Sequence, residues 1–93
     1  MKINEVSFMH IKDRNRKNIC GERIKKIRES FPIKMSQRQL ADKLCLLGLD
    51  IDKNVIQLIE SGNRFVSDIE LRYISQVLNV SFSDLLDDEV ESK

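Results

Sequence analysis

The chain has no tryptophan, one proline, one histidine and three glycines in 93 residues. His10 is the sole histidine, and it lies in a stretch without helix caps. No nucleophile–base pair, glycine-rich phosphate loop or cluster of carboxylates on a scaffold is present, so an enzyme is not expected, nor is a cofactor. Cys20 and Cys45 stand apart, with no CxxC spacing and no clustered histidine. A metal site is therefore not expected, and both cysteines read as small core hydrophobes. No run approaches the roughly 20 apolar residues that a transmembrane helix needs. The opening MKINEVSFMHIKDRNRK has no long apolar core and no small-residue cleavage site, so no secretory leader is expected, and the reading is of a cytoplasmic protein.

Charge is balanced in total, at +1, but unevenly placed. Residues 1–50 hold 12 Lys/Arg against 6 Asp/Glu, whereas residues 51–93 hold 4 against 9. The basic half includes Lys12, Arg14, Arg16 and Lys17, then Arg23, Lys25, Lys26 and Arg28. The acidic half ends in D84-L-L-D-D-E-V-E91. Such polarity lets a small protein turn one face to phosphates and keep its acidic end away, although solvated helix faces look the same.

What the sequence does have is helix starts. Met35–Ser36–Gln39–Leu40, Val66–Ser67–Glu70–Leu71 and Val80–Ser81–Asp84–Leu85 each place a capping serine, a reciprocal polar residue three places on, and a flanking apolar pair. Asp84 is the shortest of the three partners, which makes the third box the weakest. A first helix is predicted over about Ile19–Ser30, with Asn18 as N-cap, a stripe of Cys20, Ile24, Ile27 and Phe31, and Pro32 as its stop. The second spans Gln37 to about Leu47, burying Leu40, Ala41, Leu44 and Leu47 before Gly48. After the turn Leu49–Asp52, with Asp52 as cap, a third runs over about Lys53–Ser61 with Ile56 and Ile59 inward, ended by Gly62. The fourth covers Asp68 to about Leu78, burying Leu71, Ile74, Val77 and Leu78, with Asn79 closing it. The fifth is short, about Phe82–Leu86. The expected fold is all-α: five helices over residues 18–87, an N-terminal arm over 1–17 that reads equally as a short strand or a weak turn, and an acidic tail over 88–93.

The order of these elements, together with G21-E-R-I-K-K-I-R28, M35-S-Q-R-Q-L-A-D-K-L44, V55-I-Q-L-I-E-S-G62 and L78-N-V-S-F-S-D-L-L86, resembles the phage-repressor/Cro (XRE-type) helix-turn-helix family. The resemblance covers roughly three quarters of the chain and implies a lambda-repressor-like helix-turn-helix domain. One departure is visible. Where the family has a tight glycine turn between helices 2 and 3, this chain carries C45-L-L-G-L-D-I51, longer by about five residues.

The resemblance implies that helix 3 enters the major groove of double-stranded DNA with Lys53, Asn54, Gln57 and Leu58 outward. Lys53 suits guanine O6/N7, Asn54 and Gln57 suit adenine, and Leu58 suits a thymine methyl. Gln37, at the first turn of helix 2, is implied to grip the phosphate backbone, with Arg38, Asn63 and Arg64 flanking it. Arg28 and Glu60 are implied to form a structural ion pair that positions helix 3. The expected function is a sequence-specific DNA-binding transcriptional regulator of repressor type. The alternative is an antitoxin or other protein-binding module of the same fold, holding a protein partner through the arm or the acidic tail. A homodimer is expected on DNA, joined through Val80, Phe82, Leu85 and Leu86 of helix 5 and its flank or Val6, Phe8 and Ile11 of the arm. No membrane partner is expected.

Overall fold

The computed structural model describes residues 15–87. They form α1 (Gly21–Ser30), α2 (Gln37–Leu47), α3 (Lys53–Glu60), α4 (Asp68–Leu78) and α5 (Phe82–Leu86), with no strand among them. The apolar arm residues Val6, Phe8 and Ile11 and the acidic tail lie outside the described residues.

Helix starts follow from the serines. In α2, α4 and α5 the Ser36, Ser67 and Ser81 hydroxyls accept from the backbone N–H of Gln39, Glu70 and Asp84, and each of those side chains accepts from the serine N–H in return. The short Asp84 closes its box as well as the longer residues do, with Oδ2 accepting from the Ser81 N–H at 3.0 Å. Asp52 caps α3 through the Val55 N–H. α1 begins two residues later than the sequence predicts, with Cys20 rather than Asn18 at the N-cap position, but Asn18 still supplies the capping oxygen, its Oδ1 accepting from the Gly21 N–H at 2.8 Å.

Helix ends are equally regular. After α2, α3 and α4 the chain passes through Gly48 (φ 108°), Gly62 (φ 82°) and Asn79 (φ 59°). In each case the next residue donates back five positions, Leu49 to Leu44, Asn63 to Leu58 and Val80 to Ser75, which closes a Schellman turn. The left-handed backbone lets the chain reverse within two residues, and so stacks short helices on one another.

The core comprises Cys20, Ile24, Met35, Leu40, Ala41, Leu44, Ile51, Ile56, Ile59, Leu71, Ile74, Leu78 and Leu85. α3 packs between α1 and α2, α4 lies against α2, and α5 bridges α1 and α4. Arg23 secures that bridge by donating to the Asp84 carbonyl at 2.7 Å and to the Asp87 carbonyl. Two sequence expectations fail here. Leu47 is 45% exposed, because the core beyond Leu44 is completed by Leu49 and Ile51 of the returning link rather than by the last turn of α2. Cys45 is exposed, unlike Cys20, because it stands one residue, about 100° of rotation, past the inward Leu44. Val77 is half-buried at the edge of the core.

The start of α1 lies hard against the end of α3. A Cβ at Gly21 would stand 2.2 Å from the Ile59 carbonyl oxygen, which is backbone and cannot swing away. Gly21→Ala is therefore expected to destabilise the fold by about 1–3 kcal/mol in denaturant unfolding, through overpacking.

The α3–α4 link is braced by Arg64, whose two terminal nitrogens donate to the two Glu70 carboxylate oxygens at 3.0 Å each. The Arg64 guanidinium holds the Glu70 carboxyl below its ordinary range, outweighing the upward push of burial, and the Ser67 N–H adds to the lowering. The folded state thus favours the charged form. Its contribution is complete above the ordinary carboxyl value of about 4.3 and is lost as pH falls through the lower folded value. Glu70→Gln, which keeps an acceptor for Ser67, should lower the melting temperature at pH 7. The gap from the parent should close as the pH is taken below 4 in thermal scans.

Candidate nucleic-acid interface

Eight residues of α3 present two unlike faces. Ile56, Ile59 and Glu60 point into the protein. Lys53, Asn54, Gln57 and Leu58 are exposed. Steps of three and four residues put Asn54, Gln57 and Leu58 on one stripe, with Lys53 one turn before Gln57. The Lys53, Asn54 and Gln57 side chains make no hydrogen bond or ion pair among the described residues. Leu58 is 43% exposed.

Glu60, on the inner face, organises the surroundings. Its Oε2 accepts from Arg28 Nε at 2.7 Å and its Oε1 from the Arg28 NH2 nitrogen at 2.9 Å. Both residues are 6% exposed. The hydrogen bonds from Glu60 hold the Arg28 guanidinium more firmly protonated than usual, against the opposing effect of burial. The third guanidinium nitrogen donates to the Met35 carbonyl at 2.8 Å, just ahead of α2. Glu60 Oε1 also accepts from Gln37 Nε2 at 2.9 Å. One carboxylate thus joins α1, the first residue of α2 and the end of α3, and through Arg28 it reaches the α1–α2 link.

The other four residues singled out by sequence fall in different settings. Gln37 is half-buried at the start of α2 with its amide tied to Glu60, beside the free N–H groups of the first turn. Arg38 is exposed and lines a groove of about 340 Å³ together with Lys53. That groove also carries Asp42, Asp50 and Asp52, so three carboxylates offset its two cations. Asn63 is exposed and donates to the Ser61 hydroxyl at 2.9 Å. Arg64 is turned toward α4 by Glu70 and donates to the Phe65 carbonyl as well.

Sequence reasoning missed the segment in front of α1. Arg16, grouped there with the arm, has its guanidinium on the Glu60 and Ser61 carbonyls, both at 3.2 Å. Asn18, read only as a cap, also donates from Nδ2 to the Ile59 carbonyl at 3.0 Å and the Arg64 carbonyl at 2.8 Å. Lys17 sets its ammonium 5.8 Å from the centre of the Phe65 ring. These contacts span more than forty residues in sequence, and no periodicity announces them. No group of metal-ligating side chains occurs among the described residues. No helix there is long and apolar enough to cross a membrane.

The family model that matches the chain is described as helix-turn-helix and spans residues 24–85, from the first core residue of α1 to the core leucine of α5. Neither the curated proteins nor the solved structures that were compared contain a match. With that match over most of the chain, and with α2 and α3 arranged around a shared carboxylate, the chain belongs to the helix-turn-helix family of phage-repressor/Cro (XRE) type, a family of DNA-binding transcription regulators.

Proposed function

We propose that the protein is a sequence-specific repressor that reads the major groove with α3. The observation that carries this reading is the outer face of α3, where Lys53, Asn54 and Gln57 stand exposed without partners on a helix whose inner face is fully committed. Unpaired polar side chains on a rigid helix are suited to base edges, because nothing has to be broken when they bind. Lys53 reaches guanine, Asn54 and Gln57 pair with adenine, and Leu58 covers a thymine methyl.

Gln37, Arg38 and Asn63 hold the phosphate backbone on either side of α3. Gln37 acts with the N–H groups of the first turn of α2, and its tether to Glu60 fixes it relative to the reading face. Arg64 contributes less than an unpaired arginine, since Glu70 already neutralises it. The link between α2 and α3, longer than the family's, shifts the angle at which α3 meets the groove.

The protein acts as a homodimer with half-sites one helical turn, about 34 Å, apart. Of the residues of helix 5 and its flank expected to join two copies, Leu85 is fully buried and Val80 packs against the core. Phe82 and Leu86 remain exposed, four residues apart on one face of α5, and supply the contact.

Selection of bound sequences from a random DNA pool tests the reading directly, and a two-fold symmetric preferred site is the expected result. On that site Asn54→Ala and Gln57→Ala should each cost about 1–3 kcal/mol of discrimination with the fold intact. Gln37→Ala should weaken all sequences about equally. The log–log salt slope should be about −0.9 for each phosphate neutralised. An unchanged preferred sequence in both α3 variants would show that α3 is not the reader.

A further inference from the structure

Four successive carbonyls at the end of α3 are taken by three successive residues in front of α1. Asn18 donates to Ile59, Arg16 to Glu60 and Ser61, and the Lys17 backbone N–H to Gly62 at 2.8 Å. The last carbonyls of a helix have no partner within it, and they carry its negative end. Here a guanidinium and an amide supply what water would otherwise supply. Arg16 is also 3.8 Å from the Glu22 carboxylate. Only 20% of its side chain is exposed.

Two glycines make room for this arrangement. A Cβ at Gly62 would meet Arg16 Cζ at 2.6 Å, and one at Gly21 would meet the Ile59 carbonyl as well as Arg16 and Asn18. Asn18 works in both directions at once. Its oxygen caps α1, while its amide nitrogen holds the Ile59 and Arg64 carbonyls.

We propose that Arg16 and Asn18 are positioning residues for DNA recognition, fixing the end of α3 from outside the helix-turn-helix and so setting how its other end meets the bases. This rests on α3 being the reading helix. The leverage is geometric. An eight-residue helix is about 12 Å long, so a tilt of about 10° about its far end moves Lys53 by about 2 Å. That displacement exceeds the range over which a hydrogen bond to a base survives. A helix this short does not hold its own conformation, so its orientation depends on what grips it. Arg16 therefore affects binding through α3, although it belongs to the basic run that a sequence reading would lay along phosphates.

Arg16→Met and Asn18→Ser test this in the full chain. Serine keeps an oxygen for the Gly21 N–H and loses the amide donor, so the α1 cap survives in a variant that keeps its fold. Amide hydrogen exchange in the free protein should accelerate at Ser61, Gly62 and Asn63 by about tenfold, with α4 unchanged. Affinity for the selected DNA site should fall by about tenfold, while affinity for random-sequence DNA and the salt slope stay the same. A slope shallower by about 0.9 in Arg16→Met would make Arg16 a phosphate contact and overturn the proposal. So would an equal loss on random-sequence DNA, or unchanged exchange and binding in both variants. If the parent chain itself selects no sequence, the reading of α3 fails, and that outcome is visible before any variant is measured.

Discussion

The structure depends on a buried charge pair. Taking a guanidinium and a carboxylate out of water is costly, and the pair persists only where geometry and further hydrogen bonds compensate. Arg28 and Glu60 meet those conditions, with a bidentate contact, the Met35 carbonyl on one side and the Gln37 amide on the other. An apolar pair of similar size would fill the same space but would not specify where each neighbour sits. The carboxylate has directed acceptor positions, and three donors from two other segments of the chain are aimed at them. We propose that the pair fixes the orientation of α3 more than it adds stability.

From that constraint the division of labour in α3 follows. Its inner face and C-terminal end are held by Ile56, Ile59, the ion pair and the residues in front of α1. Its outer face is left without intramolecular duties among the described residues. A reading surface needs that combination, because side chains that must meet base edges within tenths of an ångström gain nothing from a mobile support. The same logic explains Arg64. Its pairing with Glu70 neutralises a half-buried cation and braces the link that leaves α3.

Much of the fold is legible in the sequence because its determinants are local. Ser36, Ser67 and Ser81 act on residues three places away, and Gly48, Gly62 and Asn79 turn the chain so that the next residue donates five back. Helix bounds follow from these short-range rules to within two residues. Burial is less legible where the chain turns back. Leu47 has the spacing of a core residue, but Leu49 and Ile51 occupy the core on the return, and nothing local decides between them. Cys45 differs, because its exposure follows from the helical period, one residue past the inward Leu44. At the candidate interface the outward residues of α3 are legible from the family resemblance, with Ile56 and Ile59 marking the inner face by their spacing. The clasp of Arg16 and Asn18 is not, because each contact joins residues 41–46 places apart and rests on backbone carbonyls that carry no sequence signature.

If the buried pair serves orientation, then orientation and stability can be separated by replacing both charges at once. Double substitution Arg28→Met with Glu60→Leu removes the desolvation cost and the directed contacts together. The decisive measurement is the ratio of affinities for a selected site and for random-sequence DNA in this double variant, alongside its unfolding free energy. The account predicts a fold about as stable as the parent whose preference for the selected site has collapsed. A double variant that keeps both its stability and its preference would contradict it.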